Sequence, residues 1–384
     1  MDVVLSCKTA LPFHSYGGLE KYVYYFGKHL AENGINVEIV VSSDGTAKKE
    51  KMHEGVKYVF IPPGLDGRKL ITPYYYVFNY RLARYLKNKE FDVLHAFDTT
   101  SYFYLHSERR APTVVHLFMP FTTNFKKADF LTRAYSKLFL SWQWEYCLSH
   151  GDRVVAEGEF QVKDFMDGYG VPEKKILILP PGIESRLAEK GEKEAEHLRK
   201  KLGIGEKDFT VITVNRLVPE KGVNYLVESF GIVKQHLNDA KLIIVGSGPE
   251  ESRIRDLVKR RGLEKSVIIL KNIPEESLYG CYHLADLYAS PVLQDDWVMG
   301  IVEAMASGLP IVSTGQKFLV RDGKNGYVVP KKNPGMLADA ILKLYDKNRL
   351  GKMGNASKAM SKKYDWDFVA KTAIKKYEEL LEPK

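Results

Sequence analysis

The stretch Asp295 to Pro310, DDWVMGIVEAMASGLP, carries an acidic pair at its start and a single carboxylate, Glu303, where a short buried helix is expected to begin. Seven residues separate Asp295 from Glu303. A step of eight positions is two helical turns plus roughly 80°, so the two acids are expected on different elements, Asp295 on a loop and Glu303 on the helix. A carboxylate in the first turn of a helix is favoured by the macrodipole and could accept hydrogen bonds from sugar hydroxyls. A helix-start residue without a ligand is the other reading. Arg216 and Lys221, in NRLVPEKGVNYL, stand five apart on a strand-to-helix loop. Together they could clamp a diphosphate, Arg through its bidentate fork and Lys as a point charge, or be two solvated surface charges. His116 closes an apolar strand, where it could donate to a hydroxyl or carry a proton, or simply fill the core. Gly17 and Gly18 precede a helix, a place where the backbone can approach an anion or merely turn tightly.

These residues need a scaffold, and the apolar periodicity supplies one. Met1–Ser6, Val37–Val41, Val56–Ile61, Phe91–Ala96, Pro112–His116, Arg153–Ala156 and Ile176–Leu179 read as strands. Helices are expected at Glu20–Glu32 and Thr72–Leu86, the latter with Tyr74, Tyr75, Tyr76 and Tyr80, which either pack or offer an interfacial surface. Phe118–Ser149 is aromatic and patchily basic, expected to be helical in part, against a bilayer surface or in a core. A second series begins at Phe209–Val214 and continues with Val223–His236, Lys241–Val245, Glu250–Arg261, Val267–Leu270, Pro274–Leu284, Leu287–Ala289, Ile311–Ser313 and Pro334–Asp346. Strands alternating with helices imply parallel sheets covered on both faces. Ligands of such sheets bind outside the carboxyl ends of the strands, which points at His116, Asn215-Arg216, Gly246 and Asp295.

The chain has 384 residues, enough for two domains with a cleft between them. With 45% hydrophobic and 27% charged residues it is composed like a soluble globular protein. No run approaches the roughly 20 apolar residues of a membrane span, and the start lacks a signal-peptide pattern. Three scattered cysteines suit a reduced, cytoplasmic compartment. A formal charge of +9 favours anionic partners, but no long Lys/Arg block or RNA-binding signature is present, so nucleic acid is not expected. Three motifs are set aside. Gly246-Ser247-Gly248 has Glu251 where a dinucleotide fingerprint needs its third glycine; Asp365-Trp366-Asp367 opens a terminal helix rather than a strand-end loop; and Asp295-Asp296 has no nearby His or third acid, so no metal is expected.

Taken in order, these segments resemble the GT-B fold glycosyltransferases of family 4, which are retaining and nucleotide-sugar dependent. The resemblance covers nearly the whole chain. GGLEKYVYYFGKHLAENGINVEIVVS resembles the family's glycine loop and helix, FDVLHAF and VVHLF its histidine-bearing strand ends, and NRLVPEKGVNYLVESF and LIIVGSGPEESRI its donor half. GIVEAMASGLPIV is the most specific match. The resemblance implies an α/β GT-B architecture of two Rossmann-like doubly wound domains facing a central cleft. Residues 1–182 would bind the acceptor, with the terminal helix 364–384 packing back on them, and 183–363 would bind the donor.

The same resemblance implies that Arg216 and Lys221 bind the donor diphosphate, that Gly17 and Gly18 approach the phosphates, and that Glu303 binds the ribose beside Gly300, Ile301 and Val302. His116 and Asp295 would serve the transferred sugar as the catalytic pair. The implied co-substrate is a UDP- or GDP-sugar with no further cofactor and no metal. The expected acceptor is a glycan or a lipid-linked molecule, and a peripheral contact with an anionic membrane at its cytoplasmic face is suggested by the net charge and the aromatic, basic stretches of the first domain alone. The chain departs from the family pattern at Asp295, which replaces glutamate and shortens the side chain by roughly 1.5 Å. Asp296-Trp297-Val298 replaces a small residue, Phe and Gly, and Asn215 replaces a glycine. These departures keep open a nucleotide-sugar-binding protein without catalysis; a nucleotide-sugar epimerase of the same fold is a third reading, against which the pattern at Gly17-Gly18 and Glu303 stands.

Overall fold

Val93–Phe97 and Phe209–Val214 are runs of apolar, largely β-branched and aromatic residues that are buried almost throughout, as strands covered by helices on both faces must be. In the computed structural model each lies near the middle of a sheet. The structure describes residues 1–14, 18–43, 49–62, 71–118, 141–294 and 297–382, with the backbone alone at 71–75. They form two compact units, Met1–Gly182 with Trp366–Lys384, and Ile183–Asp365.

The strands of the first unit are β1 (Asp2–Ser6), β2 (Asn36–Ser42), β3 (Glu50–His53), β4 (Val56–Ile61), β5 (Val93–Phe97), β6 (Thr113–His116), β7 (Arg153–Ala156) and β8 (Ile176–Ile178). They lie in the order β3-β4-β2-β1-β5-β6-β7-β8. All neighbours run parallel except β3 and β4, so the expectation of purely parallel sheets fails at this edge. β3 reads EKMH, polar and partly exposed, a composition that suits an edge strand. The helices are α1 (Gly18–Glu32), α2 (Ile71–Lys87), α3 (Tyr102–Leu105), α4 (Ser141–His150) and α5 (Glu159–Tyr169). Of the aromatic stretch expected to be partly helical, only Phe118 and α4 are described, and 119–140 lie outside the described residues. On α2 the expected packing of the tyrosines is incomplete: Tyr76 and Tyr80 are 41% and 50% exposed, each meeting Phe103 edge-on.

The second unit has β9 (Phe209–Val214), β10 (Ala240–Val245), β11 (Val267–Leu270), β12 (Leu287–Ser290), β13 (Ile311–Ser313) and β14 (Gly326–Val328), in the order β11-β10-β9-β12-β13-β14, all parallel. Its helices are α6 (Ser185–Lys201), α7 (Val223–His236), α8 (Glu251–Arg260), α9 (Glu275–Leu284), α10 (Met299–Ala306), α11 (Pro334–Lys343) and α12 (Lys347–Ser361). The single helix expected over Pro334–Asp346 is shorter. Asp346 is instead the N-cap of α12, accepting from the backbone of Asn348 and Arg349, a role that suits a short acidic side chain.

The terminal helix α13 (Trp366–Leu381) completes the first unit. Trp366, Val369, Ala370, Ala373 and Tyr377 form its buried seam at helical spacing. Trp366 lies so close to Gly182 that a Cβ on Gly182 would sit 2.4 Å from the indole, and Asn33, just after α1, donates to Asp367 at 2.9 Å.

Candidate functional site

In each sheet the chain first winds outward on one side of the starting strand and then crosses to the other. The switch points are therefore β1/β5 in the first unit and β9/β12 in the second. The loops leaving these strands are where a doubly wound sheet receives ligands.

Arg216 and Lys221 sit on the loop that leaves β9. Arg216 is exposed and Lys221 half-buried. The loop is held from below by close backbone packing. A Cβ at Gly246 would lie 1.9 Å from the Asn215 carbonyl oxygen, and one at Gly248 would lie 2.3 Å from that of Leu217. Both glycines have φ near +150°, which other residues rarely adopt. The Gly246-Ser247-Gly248 pair thus supports the Arg216 loop. Gly222, at φ +62°, lets the same loop press on Pro291. The backbone N–H of Leu293 donates to Glu220 at 2.9 Å, joining it to the loop that leaves β12.

Glu303 is almost wholly buried on α10 and accepts from the Tyr282 hydroxyl at 2.8 Å. It is the fifth residue of α10, with Val298 as the N-cap. The expected first-turn position is therefore not observed, because the helix starts earlier, at Met299. The macrodipole acts mainly on the first turn, and the Tyr282 hydrogen bond takes its place as the local stabiliser. Burial, and then the Glu303 carboxylate, push the Tyr282 hydroxyl pKa well up, so it stays a donor. Gly300 faces Tyr288, whose hydroxyl would be 2.4 Å from an added Cβ and donates to the Val214 carbonyl at 3.2 Å. Ile301 and Val302 are fully buried and hold α10 in the core.

Asp295 and its neighbour Asp296 lie outside the described residues. The residues around them are fixed on both sides. Gln316, at φ +50°, donates to the Gln294 carbonyl at 2.7 Å and accepts from Ser313. Thr314 donates to the Val292 carbonyl at 2.6 Å. Trp297 packs between Phe318 and Tyr364 and donates to the Met299 sulfur. Val298 adopts an ordinary extended φ of −124°.

In the first unit Gly17 lies outside the described residues and Gly18 opens α1. Among the described residues, an added Cβ at Gly18 would meet nothing within 4 Å. Thr9, on the loop leaving β1, donates to Glu20 in the first turn of α1 at 2.7 Å. His116 is the last residue of β6, as read from the sequence, but His95 lies inside β5 rather than at its end. Both are fully buried. His95 Nε2 and His116 Nδ1 are 3.1 Å apart, and His95 Nδ1 is 2.5 Å from the Tyr377 hydroxyl. His116 stacks between Phe97 and Phe118 and meets Tyr22 edge-on. Burial holds His95 down to about 3 and His116 well below its usual value, the latter also opposed by His95. Both are neutral at physiological pH. Tyr377 and Tyr282 were not singled out in the sequence. Each is a polar-tipped aromatic on a buried helical seam, a position where the hydroxyl needs a partner, and that is the signal that marks them.

Two family descriptions divide the chain between them: Glycosyltransferase Family 4 matches residues 16–187 and Glycosyl transferases group 1 matches residues 194–363. The chain belongs to glycosyltransferase family 4. Among similar family proteins is a D-inositol 3-phosphate glycosyltransferase of Corynebacterium jeikeium, 28% identical over 61% of this chain and 58% of that one. Another is a GDP-mannose-dependent alpha-(1-6)-phosphatidylinositol monomannoside mannosyltransferase of Mycobacterium tuberculosis, 31% identical over 57% of this chain and 60% of that one. The chain thus spans less than two thirds of the length of these curated relatives. The GT-B fold is shared with a sucrose-phosphate synthase from Thermosynechococcus elongatus, at a TM-score of 0.78, 20% identity and coverage of 99% and 98%. Anabaena Alr3699/HepE in complex with UDP matches at 0.74, with 18% identity and coverage of 99% and 100%.

Proposed function

We propose that this chain is a retaining, metal-independent glycosyltransferase that moves a sugar from a UDP- or GDP-sugar to a glycan or lipid-linked acceptor. The observation that carries the reading is the β9/β12 switch point, where an exposed arginine, a lysine and a buried carboxylate stand on elements held by glycine-enforced backbone contacts. Arg216 and Lys221 bind the diphosphate and stabilise the charge that grows on it as the sugar leaves; Gly17 and Gly18, at the start of α1, are the proposed phosphate-approach residues of the first unit. Glu303 accepts from the ribose hydroxyls, with Gly300, Ile301 and Val302 setting its helix against the nucleotide. His116 and Asp295 address the transferred sugar. The bond from the anomeric carbon to the phosphate oxygen breaks while the acceptor oxygen bonds to that carbon on the same face, and the departing phosphate takes the acceptor proton. A lipid-linked acceptor, met at the cytoplasmic face of an anionic membrane, is supported by the net charge and by the phosphatidylinositol-based acceptor for which the mannosyltransferase relative is named.

A thermal-shift screen across UDP- and GDP-sugars tests the donor, since a ligand of the native state raises the melting temperature. Transfer assays with Glu303→Ala and Lys221→Ala test the site. Folded variants are expected to lose transfer at least 100-fold, and full activity in both overturns the assignment. Transfer that survives a chelator supports the metal-free reading, and loss restored by a divalent cation removes it. Binding without transfer would favour a protein that has lost catalysis, for which the Asp295 to Val298 replacements are the motive.

A further inference from the structure

We infer that Tyr377 and His95 set the tautomer of His116, holding its outer ring nitrogen, Nε2, as a hydrogen-bond donor. The inference deepens the reading of His116 as the residue that addresses the transferred sugar, and with that reading the donor faces a sugar oxygen.

The three side chains form one row inside the first unit. The Tyr377 hydroxyl lies 2.5 Å from His95 Nδ1, His95 Nε2 lies 3.1 Å from His116 Nδ1, and His116 Nε2 is buried without a hydrogen-bond partner among the described residues. All three side chains are fully buried, and aromatic rings, Phe26, Phe97, Phe118 and Tyr22, close around the imidazoles. Each neutral imidazole carries one ring proton, so the row can be protonated in two ways. In the first, Tyr377 donates to His95 Nδ1, His95 Nε2–H donates to His116 Nδ1, and His116 presents Nε2–H. In the second, every bond runs the other way: His116 Nδ1–H donates to His95 Nε2, His95 Nδ1–H donates to the Tyr377 oxygen, and His116 presents a bare Nε2.

The tyrosine decides between them. A phenol can accept from His95 only if its own proton goes elsewhere, and His95 is the one hydrogen-bond partner of that hydroxyl among the described residues. Stranding a buried hydroxyl proton is costly. Donation from Tyr377 leaves a single unpaired group in the row, the Nε2–H of His116, at the carboxyl end of β6. His116 is therefore primed to donate to an oxygen lone pair, and Tyr377 and His95 are positioning residues that act through it. This is a use for the terminal helix beyond closing the core.

Tautomers are read directly from two-bond 1H–15N correlations of the full chain labelled with 15N-histidine, with His95→Gln and His116→Gln supplying the assignments. The expected spectrum has His116 in the Nε2–H form, unchanged from pH 5.5 to 8. Tyr377→Phe, which cannot donate, is expected to give a mixed His116 signal with at least a tenth in the Nδ1–H form. A wild-type His116 in the Nδ1–H form overturns the inference even if the variant does not fold. A folded Tyr377→Phe with an unmixed Nε2–H signal removes the tyrosine from it. Failure of any UDP- or GDP-sugar to bind would overturn the proposed donor chemistry and leave the tautomer assignment standing, so the two can fail separately.

Discussion

The Glu303 carboxylate and the Tyr282 hydroxyl satisfy each other inside the second unit, so a substitution at Glu303 removes two things at once. Glu303→Ala strands a buried hydroxyl, which costs about 1–3 kcal/mol, besides the proposed ribose contact. The double variant Glu303→Ala, Tyr282→Phe is expected to recover much of the melting temperature and none of the nucleotide-sugar binding; calorimetry beside thermal melts separates the two. The buried histidines make a second residue-scale prediction. His95 titrates near 3 when folded and near 6.5 when unfolded. Between those values the unfolded chain binds the extra proton, so stability rises with pH and is lost as the medium is acidified. The slope is about 1.4 kcal/mol per pH unit for each such histidine below its unfolded pKa, and His116 adds to it in the same direction. Melts from pH 4.5 to 7.5 should steepen below 6.5, and His95→Gln should flatten the curve.

At the scale of elements, the contact of α10 with β12 rests on Gly300. Gly300→Ala drives a Cβ into the Tyr288 hydroxyl and is expected to cost about 1–3 kcal/mol by overpacking, with Tyr288→Phe restoring part of it. Chemical denaturation of the single and double variants checks this. The regular elements here were legible: β9, α7, β11 and β13 have the bounds that apolar runs and turn residues suggest. Some of the elements that escaped, which also include α5, α12 and β14, have clear physical reasons. α6 carries few large apolar residues because it lies directly on α9, where Gly191 and Gly280 allow backbone contact; a Cβ on Gly191 would be 2.6 Å from Tyr279. Periodicity detects large side chains, and an interface made from missing ones leaves no such trace. β3 and α3 are too short and too polar or irregular to show a pattern. At the candidate site, the strand-end positions of Arg216 and His116 follow from the alternation of strands and helices. The start of α10 and the partners of Glu303 and His116 do not, because they depend on which side chains from distant segments arrive together.

Along the whole chain, residues 183–365 are inserted between the two segments that make up the first unit. Removing α13 by ending the chain after Asp365 strips Trp366 from Gly182 and Tyr22, and Tyr377 from His95. Scanning calorimetry is expected to show a lowered or missing transition for the first unit and a retained one for the second. An intact first unit in the shortened chain would show that α13 is dispensable.

That interleaving also governs how the protein is born. The helix that finishes the first core leaves the ribosome only after the whole second unit, an interval of roughly 10–40 s at ordinary rates of synthesis. For that time the groove between Tyr22 and His95 stands open on a nascent chain, with an apolar lining and an imidazole lacking its phenol. The first unit begun is therefore the last completed, and that open groove is where a chaperone would find its substrate.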